Sequence, residues 1–164
     1  MKTLFIVRHA KSSWDNSSHA DFDRPLNERG IRNAPEMARR LVLRGLSPQH
    51  IITSPANRAI STARLMAVQF GQSEEMLIVE DSIYEASRQD LHRVISRQNP
   101  DYGTLMIIGH NPGMSDFLNW LCDEEEILST ASIAEVQVDS NKWNGWERGS
   151  GKLIHLDYPK KQIE

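Results

Sequence analysis

Two apolar runs limit what this chain can fold into. Residues 4–7 read Leu-Phe-Ile-Val and residues 104–109 read Thr-Leu-Met-Ile-Ile-Gly. Runs of this length, rich in apolar and β-branched residues, are buried strands. Each stops at a histidine: His9, preceded by Arg8, and His110, followed by Asn111-Pro112-Gly113. A strand buried on both faces has no use for polar or cationic residues at its tip unless the tip opens into a cleft. The carboxyl edge of an open α/β sheet is where ligands bind.

The rest of the chain supplies the units such a sheet needs. Residues 12–24 are polar and aperiodic, with Trp14 and Phe22 the only large apolar groups, and read as a loop over the site. Arg24-Pro-Leu-Asn-Glu-Arg-Gly30 leads into a helix with Asn27 as its cap, Met37, Leu41 and Leu43 among its apolar positions, and an end near Gly45. Ile51 and Ile52 form a second strand, broken at Thr53-Ser54-Pro55. Ser54 followed by Pro55 reads as a helix start, with Ser capping the free amides and Pro in the first turn. That places Arg58 in the first turn, where the dipole favours an anion. Ala59, Ala63, Leu65, Met66 and Phe70 continue the apolar face to a stop at Gly71.

Residues 77–79 are a third strand, followed by Asp81-Ser-Ile-Tyr-Glu-Ala-Ser87, a helix through Leu91, Val94 and Ile95, and a break at Pro100. After the 104–109 strand, Asn111-Pro112-Gly113 opens a helix carrying Phe117, Leu118 and Leu121. Residues 133–138 alternate as a strand with one wet face. Trp143 and Trp146 flank a turn at Gly145, and residues 152–158 alternate again, so the last two strands form an antiparallel edge pair. Four strand–helix units and a closing pair predict an α/β fold in three layers: a mostly parallel central sheet, helices on both faces and an antiparallel C-terminal edge. At 164 residues one domain, 1–164, accounts for the whole chain. Three of the four strand-to-helix junctions carry Arg or His, so their chemistry converges on one sheet edge.

Composition narrows the partners. A net charge of -3 and a pI near 6.1 give no nucleic-acid surface. No charged-then-apolar leader or long apolar span precedes the first strand, which predicts a cytoplasmic protein without a membrane anchor. The single Cys122 cannot make an internal disulfide and reads as core filler rather than nucleophile.

Arg8, His9, Arg58 and His110 together offer two fixed positive charges, two imidazoles and a helix start, an inventory that best matches a phosphoryl group. Two guanidiniums can spread over the equatorial oxygens of a transferring phosphoryl. One neutral imidazole can attack phosphorus in line while the other donates to an oxygen. No cofactor is called for, because the arginines do the work of magnesium. The six histidines raise the question of zinc, but no HxH, HExxH or paired-Cys spacing occurs and Arg8 beside His9 repels a cation, so no metal is expected.

Val7-Arg-His-Ala-Lys-Ser-Ser-Trp14, Arg24-Pro-Leu-Asn-Glu-Arg-Gly30, Ser54-Pro-Ala-Asn-Arg-Ala59 and Gly109-His-Asn-Pro-Gly113 resemble the motifs of the histidine phosphatase, or phosphoglycerate mutase-like, superfamily. Within it, the short chain and the wording of the motifs are similar to the SixA-type phosphohistidine phosphatases. The resemblance spans nearly the whole chain. It implies that His9 is the nucleophile and becomes phosphorylated, that Arg8 and Arg58 hold the phosphoryl oxygens, and that His110 completes the pocket. Arg24 either organises the entrance loop around the substrate or makes a salt bridge within it. Glu85, in Ile83-Tyr-Glu85, sits where mutase-like relatives carry an acidic proton donor, and is either that donor or a solvated charge beside a helix. The function implied is a metal-independent phosphatase working through phospho-His9 on protein phosphohistidine. Its rivals are a phosphatase for small phosphoesters and a phosphate-binding module without turnover. With only residues 12–24 as a lid, the pocket is open enough for a phosphorylated protein or a small phosphorylated molecule.

Overall fold

In a computed structural model, residues 1–14 and 19–161 are described. The chain runs β1 (Lys2–Arg8), α1 (Glu28–Leu43), β2 (His50–Thr53), α2 (Asn57–Gln69), β3 (Leu77–Val79), α3 (Arg88–Ser96), β4 (Thr104–Gly109), α4 (Gly113–Cys122), β5 (Ile133–Val138) and β6 (Gly151–Asp157). Short 3-10 turns at Asp21–Asp23, Glu74–Met76 and Asp81–Ile83 fill three connections. The reading of 12–24 as one loop falls partly on residues 15–18, outside the described residues; what is described there is a bridge from Ser12 to Leu26 and the Asp21–Asp23 turn.

The sheet has the order β3-β2-β4-β1-β5-β6. β1 to β4 are mutually parallel, and β5 is antiparallel to both β1 and β6, with a bulge at Glu135/Val136. Alternation along β1 splits the core between the two faces. Leu4 and Ile6 join Ile52, Leu105 and Ile107 under α3, α4 and the Trp143–Trp146 pair. Phe5 and Val7 join Ile51, Met106 and Ile108 under α1 and α2. This is the three-layer arrangement the sequence predicts.

α1 starts where expected: the Asn27 side chain accepts from the Gly30 amide at 2.9 Å. Its start presses against the segment leaving β1, since a Cβ on Gly30 would lie 2.2 Å from the Lys11 carbonyl oxygen. Only glycine permits that approach. Cys122 is half-buried against the core, and burial, followed by the Glu124 charge, pushes its thiol up to about 12. That suits a packing residue rather than a thiolate nucleophile.

Three expectations are corrected. α2 does not start at Ser54-Pro55 but at Asn57, behind Ala56, and the Ser54 hydroxyl has another use described below. β5 has no wet face at Glu135, which is 5% exposed and paired through Oε1 to Nη2 of Arg44, the residue after α1, at 2.7 Å. The strand lies between β1 and β6 and beneath a helix, so its polar residue is paired instead of solvated. Leu43 is exposed, because α1 ends there and its apolar stripe stops at Leu41.

Candidate active site

Register alone puts the two histidines together. Arg8, the last residue of β1, is opposite Gly109, the last residue of β4. His9 and His110 therefore leave adjacent parallel strands side by side, with ring centroids 5.1 Å apart. β2 flanks β4 on its other side, Thr53 opposite Ile108, and the chain turns from there into α2, which carries Arg58 as its second residue. The Ala10 amide donates to Thr62 Oγ1 of α2 at 3.0 Å, and that hydroxyl donates to the Arg58 carbonyl at 2.7 Å. The segment after His9 and the turn bearing Arg58 are thereby tied together.

Hydrogen bonding sets the protons on both rings. His9 is 6% exposed, and its Nδ1 lies 2.7 Å from the Ala10 carbonyl, which can only accept. Nδ1 therefore carries the hydrogen and Nε2 keeps its lone pair. Burial first, then the charges of His110, Arg58 and Arg8, bring His9 down to about 3 against the opposing Ala10 bond. The ring is neutral at physiological pH, as a nucleophile must be. The Ser54 hydroxyl accepts from the Ala56 amide at 3.2 Å and lies 2.7 Å from His110 Nε2. With the hydroxyl's own proton directed at that nitrogen, the hydrogen of the neutral His110 ring is on Nδ1. Burial first, then Arg58, lowers His110 to about 4, with Asp21 opposing.

Among the described residues, Arg8 Nε, Arg58 Nε and His110 Nδ1 are buried with no hydrogen-bond partner; Arg40 Nε and His92 Nε2 share that condition away from this cluster. An unpaired buried polar group costs about 1–3 kcal/mol, so three at one sheet edge call for a physical reason. A group with several acceptor oxygens, such as an oxyanion, is the kind of partner that donors of this type take. No three His, Cys, Asp or Glu side chains among the described residues group as metal ligands.

Sequence reasoning missed the residue that organises the mouth, Asp21. Arg58 donates from Nη1 to the Asp21 carbonyl at 2.7 Å and from Nη2 to its Oδ2 at 3.1 Å. Tyr84 donates its hydroxyl to the same oxygen at 2.7 Å. Arg24 pairs with Oδ1 at 3.1 Å, donates to the Ser12 hydroxyl at 2.5 Å and lies 3.5 Å from the Trp14 ring centroid. The two alternatives for Arg24 are thus one arrangement, a salt bridge within the loop that also braces it. The Tyr84 bond first, with the two arginines behind it, holds the Asp21 carboxyl at about 2. Asp21 takes one side of the Arg58 fork and leaves Nε unoccupied.

Glu85 does not join this cluster through any bond. It is exposed, has φ of 58°, and makes no hydrogen bond or ion pair among the described residues. Its neighbour Tyr84 packs edge-on against His110 at 5.7 Å. A Cβ on Gly113 would meet the Ala86 carbonyl oxygen at 2.2 Å, so that glycine lets the Tyr84–Ala86 segment close against α4.

Fold and site define an α/β protein with two neutral imidazoles and unpartnered guanidinium nitrogens at the carboxyl edge of its sheet. The family model of the histidine phosphatase superfamily, branch 1, matches residues 4–102, a stretch that holds Arg8, His9, Arg24, Arg58 and Glu85 and ends before His110. The chain belongs to the histidine phosphatase superfamily. An uncharacterized chloroplastic protein of Arabidopsis thaliana is 34% identical over 150 residues, 87% of this chain and 69% of that one. The SixA protein of Agrobacterium tumefaciens superposes with a TM-score of 0.82 at 25% identity, covering 96% of this chain and 98% of that one. A protein histidine phosphatase SixA solved with tungstate shares the fold, with a TM-score of 0.81 at 21% identity over 96% and 97% of the two chains.

Proposed function

We propose that this chain is a cytoplasmic, metal-independent phosphatase that removes phosphoryl groups from protein phosphohistidine through a phospho-His9 intermediate. The observation that carries the reading is the set of buried, unpartnered donors, Arg8 Nε, Arg58 Nε and His110 Nδ1, around the neutral His9 ring. In the first step the phosphoryl oxygens accept from those donors, and the His9 Nε2 lone pair attacks phosphorus in line. The bond from phosphorus to the substrate imidazole nitrogen breaks, and the leaving imidazole takes a proton from water or from Glu85. His9 keeps its Nδ1 hydrogen on the Ala10 carbonyl, which stabilises the cationic phosphoimidazolium. Water then attacks the phosphorus, inorganic phosphate leaves, the water proton passes to solvent, and His9 Nε2 regains its lone pair. An imidazole leaving group makes light demands on a general acid, which fits a site whose bonded carboxylate, Asp21, is held down to about 2 and so stays ionised at neutral pH.

Two measurements test this. Acid-quench-free trapping at alkaline pH with a labelled phosphodonor should give a base-stable, acid-labile adduct on His9, and persistence of that adduct in His9→Ala removes the mechanism. Steady-state rates on a phosphohistidine peptide should exceed those on small phosphoesters in kcat/KM, and the reverse order makes the enzyme a small-molecule phosphatase.

A further inference from the structure

Four of the cations that the centre does not use lie around one cavity. A cavity of about 510 Å³ is lined by Lys11, Arg29, Arg32 and Lys160, together with Ser129 and Tyr158. Among the described residues no Asp or Glu lines it; Glu28, next to Arg29, lines an adjoining depression with Pro25 and Ile31. All four cations are exposed, and none has an ion-pair, hydrogen-bond or ring partner among the described residues. Arginines elsewhere on the surface are matched: Arg39 with Glu36, Arg64 with Glu74, Arg93 with Asp90 and Arg97 with Glu80. Four unmatched cations around one concavity, on a chain of net charge -3, are a local feature rather than a result of composition.

Two of the residues that line the cavity, Lys11 and Ser129, are chain neighbours of residues that hold the catalytic centre. Lys11 follows Ala10, whose carbonyl holds His9 Nδ1, and its own carbonyl accepts from the Asn27 amide at 3.0 Å. Ser129 follows Leu128, whose carbonyl accepts from Arg8 Nη1 at 3.0 Å. The Ala131 amide is 3.0 Å from the Arg8 carbonyl and 3.1 Å from that of His9. The cationic wall thus begins at Lys11, two residues beyond His9, beside a phosphoryl held on that ring.

We propose that the cavity is a subsite for Asp and Glu side chains flanking the phosphohistidine of a protein substrate. This rests on the phosphohistidine reading above and names which protein surfaces that site accepts. The four ammonium and guanidinium heads stay in water, so they meet an acidic segment without the desolvation that burial would impose. They act by raising the local concentration of an anionic partner and setting its register.

The test uses two synthetic peptides that carry the same phosphohistidine, one flanked by Asp and Glu and one by Asn and Gln. At low salt the wild-type enzyme should prefer the acidic peptide by about tenfold in kcat/KM, mostly through KM, and lose that preference in high salt. The double variant Arg29→Glu/Arg32→Glu should lose or invert it while hydrolysing para-nitrophenyl phosphate at the wild-type rate. Both positions lie in the first half of α1 and are exposed, where added carboxylates suit the helix dipole. Arg32→Gln alone, with a smaller loss, covers any folding defect in the double variant. Equal wild-type rates on the two peptides, a preference that survives in the variants, or a parallel loss on para-nitrophenyl phosphate would each overturn the subsite. If para-nitrophenyl phosphate is turned over and neither peptide is, the phosphohistidine reading itself falls, a result distinct from the other three.

Discussion

β1 and β4 lie side by side through the middle of the sheet, and their two ends are built on opposite principles. At the amino end polar groups are paired. Lys2 donates to the carbonyls of Pro100 and Tyr102, and the Trp143 indole donates to the same Tyr102 carbonyl at 2.9 Å. Gln49 Oε1 accepts from the Gly103 and Thr104 amides at 2.6 and 3.0 Å. Trp143 and Trp146, 1% and 4% exposed, close the core there. At the carboxyl end, two guanidiniums and one imidazole keep buried nitrogens without partners, and both histidine rings are held far below their usual range. Satisfied groups stabilise the fold and leave a ligand nothing to bind. Unsatisfied ones weaken the fold and are what an oxyanion recognises.

The widest separation between the two ends should come from His9→Ala. We expect kcat to fall on the order of 10⁴-fold or more, as when a nucleophile is removed, while the urea midpoint holds or rises because a desolvated ring is gone. A matching loss of stability would mean that His9 is a structural plug. Trp143→Ala reverses the pattern: a fully buried ring and its indole bond are lost at a cost of about 3–5 kcal/mol in urea unfolding, with the rate per folded molecule within about twofold of wild type. A large fall in that rate would show that the two ends are coupled. Arg58→Ala should lower kcat by about 10²–10³ with a smaller change in KM. Its stability should change little, since Asp21 keeps Arg24 and Tyr84 as partners.

How much of this was legible follows from how local each feature is. Strand ends at His9 and His110, the Asn27 cap and the four strand–helix units depend on short-range pattern, and the structure has them where the sequence puts them. Ser54 shows the limit. Ser-Pro is a fair helix start by local rules, yet the hydroxyl sits across from His110, which is far away in sequence, and a tertiary bond outweighs a capping preference. Asp21 and Tyr84 gave no signal, because an acidic residue in a polar loop and a lone tyrosine acquire meaning only when folding brings them to Arg58. Glu135 was misread for the same reason: alternation marks a half-exposed strand, and the Arg44 that neutralises it comes from another element. The four cations of the flanking cavity are scattered over three segments, and no periodicity links them.

The finest distinction between the two ends is their response to acid. An unfolded histidine titrates near 6.5, whereas His9 is held at about 3 and His110 at about 4, by burial first and neighbouring positive charge second. Between those values the unfolded chain binds protons that the folded chain refuses, so stability rises with pH and is lost as pH falls from about 6.5 towards 4. Each ring contributes a slope of up to about 1.4 kcal/mol per pH unit. His92 and His155 are also lowered and act in the same window, so the effect is read as a difference between variants. Asp21, held at about 2, adds its own loss only at lower pH, as its unfolded carboxyl begins to protonate near 4. Urea midpoints of wild type and His9→Asn should therefore coincide in slope above pH 7 and diverge between pH 6 and 4.5, the wild type falling faster. Saturating inorganic phosphate should flatten the wild-type curve, because a bound anion favours protonation of both rings. Trp143→Phe should keep the wild-type slope at lower overall stability, and a flattened slope in that variant would place acid sensitivity in the fold as a whole rather than in its carboxyl end.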